Sequence, residues 1–193
     1  MRIYFDYNAT TPLLEAVADA MSAATRDLFG NASSVHYFGQ QAKAAIDTAR
    51  SSVASLIGAD PTEVVFTGGG TEADNFALRG AADAAEGGGA NPRRQIIASA
   101  VEHEAVLNTL KALARRGWQT TLLPVDQSGI VSPDRLREAI TSDTAIVSVM
   151  HANNEIGTIQ PIAELAAIAH ERGALMHTDA VQSVGKIPVD VRA

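Results

Sequence analysis

The chain has 193 residues and 46% hydrophobic content, enough for one domain with a substantial core and unlike a disordered or fibrous sequence. Fifteen basic residues against twenty-two acidic give a net charge of −7, the wrong sign for gathering phosphate backbones, so nucleic acid is not an expected partner. No apolar run approaches the roughly 20 residues of a membrane span, residues 1–12 lack a leader pattern, and cysteine is absent; the expectation is a cytoplasmic chain with no membrane partner, disulfide, thiolate metal site or thiol nucleophile.

In chain order, Thr11 and Pro12 read as an N-cap and first-turn proline opening a helix from Leu13 to about Leu28. Ala42, Ala45, Ile46, Ala49, Val53, Leu56 and Ile57 form one apolar stripe at three- and four-residue steps, predicting a helix packed on the domain and stopped by Gly58. From about Glu63, short apolar runs alternate with helical periods, the pattern of a mainly parallel sheet flanked by helices. The predicted strands are Val64 to Thr67, Gln95 to Ser99, Thr120 to Leu123, Ala145 to Met150 and Leu175 to Asp179. The predicted helices are Thr71 to Glu86, Glu104 to Arg116, Pro133 to Ile140 and Pro161 to Arg172, with Pro133 and Pro161 in first turns and Gly117 and Gly173 as stops. Glu86 to Pro92, with three consecutive glycines, reads as a surface loop. No internal repeat or interdomain linker is evident.

The strand Val64 to Thr67 runs into Gly68-Gly69-Gly70-Thr71 and a helix, so that backbone amides and a positive helix end converge where an anion such as phosphate would fit. A plainer reading makes Thr71 a cap with Asp74 completing a capping box. Gly68, Gly70 and Ala73 also satisfy a loose dinucleotide-binding pattern, in which Glu102 would be the poorly placed candidate for holding a ribose. His103 follows a strand at the carboxyl edge of the sheet, and Met150 to Gly157 and His177 to Gln182 bring polar clusters to the same edge. Asp179 ends a buried strand and needs a partner such as a protonated heterocycle nitrogen, unless it merely caps a turn.

Four motifs occur in order: Phe66-Thr67-Gly68-Gly69-Gly70-Thr71-Glu72-Ala73-Asp74-Asn75, Glu102-His103, His151-Ala152-Asn153-Asn154-Glu155-Ile156-Gly157, and Asp179-Ala180-Val181-Gln182-Ser183-Val184-Gly185-Lys186. Together they closely resemble the cysteine desulfurases, class V aminotransferase-like enzymes with the type I fold of pyridoxal 5′-phosphate proteins. Asp6 to Pro12 and Phe29 to His36 look like the same family, so the resemblance runs through the whole chain.

The resemblance implies an α/β fold, the large domain of a pyridoxal 5′-phosphate (PLP) protein, interrupted before a C-terminal small domain. Residues 1–15 would be an N-terminal segment and 16–193 the incomplete large domain. It implies that Gly70 and Thr71 bind the cofactor phosphate and that His103, as catalytic residue, stacks on the pyridine ring. Asp179 would pair with the ring nitrogen, while Asn154 and Gln182 would donate hydrogen bonds to the phenolic oxygen.

The implied activity converts L-cysteine to L-alanine and passes sulfur through an enzyme persulfide to an acceptor protein, toward iron–sulfur clusters or thiolated products, in a homodimer. By resemblance the Schiff-base lysine, in a Ser-x-His-Lys segment, the nucleophilic cysteine and an arginine for the substrate carboxylate belong beyond Ala193, after a strand approached by Val189-Asp190-Val191. Lys43, Lys111 and Lys186 are expected at the surface, and the chain is expected to be inactive alone. Two alternatives stand beside this reading: a non-catalytic short homologue or a subunit completed by a second chain, and a nucleotide-binding Rossmann-like domain.

Overall fold

Glycine and proline punctuation places most elements of the computed structural model, which describes residues 2–88 and 92–192. Helix α1 spans Glu15–Asp27, α2 Tyr37–Ile57, α3 Gly70–Glu86, α4 Glu104–Arg115, α5 Pro133–Ala139 and α6 Ile162–Glu171; the strands are β1 Gln95–Ser99, β2 Gln119–Leu123, β3 Thr144–Ser148 and β4 Leu175–His177. A single turn of 3₁₀ helix covers Pro61–Glu63. Pro133 occupies the first turn of α5 as expected, and Gly117 and Gly173 adopt φ of +91° and +67° where α4 and α6 end. Pro161 instead precedes α6 at the cap position, so its missing N–H costs that helix nothing. The loop expected from Glu86 to Pro92 lies partly outside the described residues, and α3 runs through Glu86. Among the described residues no helix is long and apolar enough to cross a membrane.

The chain clusters into two compact units, residues 1–65 with 187–193, and residues 66–186. In the second unit the four strands form a wholly parallel sheet in the order β2-β1-β3-β4. Alternation across the pleat decides which helices each strand meets. Ile96 and Ala98 join Leu78 and Ala82 of α3 and Val106, Leu110 and Leu113 of α4 on one face. Ile97, Val147 and Val149 join Leu136 of α5 and Leu165, Ile168 and Ala169 of α6 on the other. A register irregularity, with Gln95 opposite Thr144 but Ile96 opposite Ile146, lets Ala145 and Ile146 both serve the α3–α4 face. Full burial of a Leu or Ile side chain stabilises by about 1.5–3 kcal/mol, which makes these two clusters the main cohesive force of the unit.

The first unit departs further from expectation. Thr11 and Pro12 do not open α1, which begins at Glu15 after an uncapped Leu14, and none of its residues is buried. Ala42 of the α2 stripe is buried and Ala45 and Ile57 are half-buried, but Ile46, Val53 and Leu56 remain 40%, 36% and 58% exposed, so the stripe forms the predicted helix with only part of the predicted burial. Val64 to Thr67 is not a strand: Val64 is extended, but the segment joins no sheet ladder among the described residues, and a strand exists only within a ladder.

Helix α2 does end as predicted, at Gly58 with φ +72°. A Cβ there would stand 2.5 Å from Asp190 Oδ1, in a loop where Val191 N–H also donates to Ile57 O at 3.0 Å. Gly58→Ala will therefore lower the unfolding free energy by about 1–2 kcal/mol, the cost of a left-handed Ala, with any displacement of Asp190 added. Chemical denaturation followed by circular dichroism measures it, and an unchanged midpoint would refute the strained-cap account.

Candidate active site

The glycine run Gly68-Gly69-Gly70 leads directly into α3, whose N-cap, Gly69, has no side chain to occupy the free amides. Gly68 to Glu72 and Asn75 line an open concavity of about 640 Å³. A Cβ on Gly69 would meet nothing within 4 Å, so the concavity begins at the backbone itself. A Cβ on Gly70 would stand 3.0 Å from Val181 Cγ2, which shows how closely the start of α3 approaches the segment following β4. Glu72 turns back so that Gly68 N–H donates to its Oε2 at 2.5 Å, and Asn75 Nδ2 donates to Thr71 O at 2.8 Å.

The Thr71–Asp74 capping box of the plainer reading does not form. Asp74 is buried and faces inward, with Oδ1 3.5 Å from His177 Nε2. The other ring nitrogen of His177 lies 2.8 Å from Ser148 Oγ. This polar row links α3, β4 and β3 beneath the carboxyl edge of the sheet.

At the end of β1, His103 caps α4: Ala105 N–H donates to its Nδ1 at 3.1 Å. Nδ1 is thus the acceptor and a neutral ring carries its proton on Nε2, while the exposed ring leaves a face open for stacking. Glu102, by contrast, is buried, and Ser99 Oγ–H and Met150 N–H donate to its Oε1 at 2.5 and 2.7 Å. A carboxyl so held cannot turn outward to a ribose, which removes the acidic residue that a dinucleotide-binding reading requires. Burial lifts the Glu102 carboxyl to about 7 against the opposing pull of those two hydrogen bonds; His177 lowers it and Asp179 raises it further.

After β3, Asn153 organises the turn: its Oδ1 accepts from Glu155 and Ile156 N–H at 2.9 and 3.0 Å, and its Nδ2 donates to Val101 O at 3.1 Å. Gly157, at φ +74°, completes the reversal, and a bridge between Ala152 and Ile159 closes it. Asn154 is half-buried beside it. His151 N–H donates to Asp179 O at 2.9 Å, joining the ends of β3 and β4. Burial pushes the His151 imidazole below its ordinary value, favouring the neutral form.

Asp179 is 8% exposed, and its Oδ1 accepts from Val181 N–H at 3.0 Å. The turn-capping role considered for it is thus present. Gln182 is half-buried, and Lys186 Nζ donates to its Oε1 at 2.8 Å, which orients its amide with Nε2 as the donor end. Lys43, Lys111 and Lys186 are all exposed, as expected.

The structure brings Gly70 of the glycine loop against the Asp179–Gln182 segment through Val181, and it brings the ends of β1 and β3 together through Glu102 and Asn153. Sequence reasoning did not single out Asn153 or the Asp74–His177–Ser148 row, and it valued Glu102 only as a weak ribose ligand. An Asn before a Gly at turn spacing was a readable sign for Asn153. Local sequence marked Asp74 only as a capping-box residue and not for this row, because its partner His177 is far away in the chain.

A model of the aminotransferase class-V family matches residues 3–193. The cysteine desulfurase IscS of Dictyoglomus turgidum (strain DSM 6724 / Z-1310) is 50% identical over 189 residues, covering 98% of this chain and 47% of the relative. That of Methanosarcina thermophila is 48% identical over 190 residues, covering 98% and 46%. Among solved structures, a NifS-like protein superposes with TM-score 0.93 at 39% identity, over 100% of this chain and 52% of the other. SspA in complex with cysteine gives 0.92 at 38%, over 98% and 53%. The chain spans about half the length of the curated relatives it matches. Its motifs, its parallel sheet and these likenesses agree: the chain belongs to the aminotransferase class-V family.

Proposed function

We propose that this chain is the cofactor-binding half of a PLP-dependent cysteine desulfurase. The observation that carries the reading is the meeting of the glycine loop with the Asp179 segment, Gly70 against Val181, which brings a helix start without a side-chain cap and a buried carboxylate to one edge. The residues fit the cofactor. Gly69 leaves its amide unobstructed beside an open concavity, Thr71 lines that concavity with a hydroxyl, and Asp179 is a buried carboxylate suited to a protonated ring nitrogen.

In this reading Gly70 and Thr71 receive the phosphate, the exposed face of His103 stacks on the ring, and Asn154 and Gln182 donate to the phenolic oxygen. When bound, the cofactor supplies an electron sink for the substrate's α-carbon. The chain's own part is to bind and orient: Asp179 holds a proton on the ring nitrogen, and His103, with Nδ1 anchored by Ala105, presents a fixed ring plane. The substrate is L-cysteine, the ligand named for SspA, and the product L-alanine. Its sulfur passes to a thiol that this cysteine-free chain does not supply, forming a persulfide for an acceptor protein. The parent is a cytoplasmic homodimer.

The test uses the chain itself. PLP will bind weakly and noncovalently, seen as a saturable change in its absorption. Borohydride reduction followed by mass analysis will leave Lys43, Lys111 and Lys186 without stoichiometric label, because none of the three is buried at the carboxyl edge of the sheet. Absence of saturable binding, or stoichiometric labelling of one lysine, Lys186 above all, would overturn the assignment.

A further inference from the structure

The cofactor contacts leave Glu102 without a task, although it lies in their midst. It is 6% exposed, Oε1 receives hydrogen bonds from both Ser99 and Met150, and Oε2 is buried with no hydrogen-bond partner among the described residues. Oε2 is unsatisfied in either protonation state, and a neutral hydroxyl there costs less to bury than an unpaired charged oxygen. A buried carboxylate would bear the desolvation cost of both oxygens, and its hydrogen-bond partners here are a hydroxyl and a backbone amide, neither of them a cation. The ionisable groups that face it are His177 from β4 and Asp179 from the segment beyond, with His103 next to it in the chain. Asp74 of α3 is reached only through His177.

The bonds continue outward from Glu102. Met150 is followed by His151, whose N–H holds Asp179 O at 2.9 Å, and Val101, just before Glu102, accepts from Asn153 at 3.1 Å. We propose that Glu102 is a positioning residue of the cofactor site: by binding the ends of β1 and β3 at once, it sets the spacing of His103, Asn154 and Asp179. Below neutral pH it does so uncharged, and Asp179 remains the carboxylate that meets the ring nitrogen. This assignment rests on the cofactor-site reading above.

Two variants of the full-length, cofactor-loaded parent separate reach from charge. Glu102→Gln keeps the length and is neutral; Glu102→Asp keeps the acid but falls one methylene short. The Gln variant will match wild type in PLP affinity, in the visible circular dichroism of the bound cofactor and in the pH midpoint of its absorption band. The Asp variant will bind PLP about tenfold more weakly, as for one lost buried hydrogen bond. Its absorption midpoint will move by at least about half a pH unit. A purely structural role would lower thermal stability and leave those spectroscopic signatures in place.

A Gln variant as impaired as the Asp variant, or an Asp variant with wild-type spectra, overturns the proposal. If Glu102→Asp does not fold, Ser99→Ala, which removes one of the two donors, must shift the same signatures in the same direction. In the cofactor-free parent at pH 6, the infrared difference between wild type and Glu102→Gln will show the carbonyl band of a protonated carboxyl. Carboxylate bands alone would refute the uncharged state. Failure of wild type itself to bind PLP removes the reading of the whole site, an outcome distinct from any difference among the variants.

Discussion

Asp179→Asn in the full-length parent will give a folded protein that retains PLP but turns over L-cysteine about a hundredfold more slowly, as expected when a charge partner worth about two pKa units is removed. The fold survives because Asp179 Oδ1 accepts from Val181 N–H, and the Asn side-chain oxygen can accept the same bond. Asp and Asn are comparable caps, so the change in stability should stay within about 0.5 kcal/mol. The missing negative charge, by contrast, has no substitute at the ring nitrogen, where protonation lets the ring accept electron density. Steady-state kinetics, thermal unfolding and cofactor absorption decide the matter. Full turnover in a folded, loaded variant would leave Asp179 as a turn cap and nothing more.

Glu102→Gln will change how the stability of the chain depends on pH. Burial raises the folded carboxyl from the ordinary 4.5 to about 7, so between these values the folded state binds a proton that the unfolded state releases. The Glu102 contribution is therefore most favourable below about pH 4.5, declines as pH rises, and levels off above about 7, a loss of about 3 kcal/mol. Gln cannot ionise and removes this decline. Its buried amide has an additional donor at the position of Oε2, so the variant gains nothing at pH 5 and exceeds wild type at pH 8. Denaturant unfolding at intervals between the two gives curves that cross, and parallel curves would show that the carboxyl is already ionised in the folded protein.

The parallel sheet was readable because its signals are local. Ile96 and Ile97, and Ala145 to Val149, are short apolar runs bounded by turns, and Gly117 and Gly173 stop the helices that separate them. The nucleotide-binding alternative was equally legible from the glycines, and what removes it is the burial of Glu102, set by contacts with Ser99 and with Met150, 48 positions further along. The strand expected at Val64 to Thr67 failed for the same reason in reverse: its β-branched and aromatic residues favour extension, but no local sequence can supply the neighbouring strand.

The sequence by itself determined the α/β class, the positions of α3 to α6 and β1 to β4, the glycine turn and the family, because hydrophobic period, capping and turn chemistry act over a few residues. Only the tertiary structure decided that Asp74 turns inward to His177 rather than capping α3. It decided likewise that Asn153 ties the β3 turn to Val101. Glu102 became a buried acid by the same means. Burial and partner choice depend on residues that are distant in the chain and close in space, and the free-energy cost of removing a carboxyl from water is fixed by those neighbours and not by the residue itself.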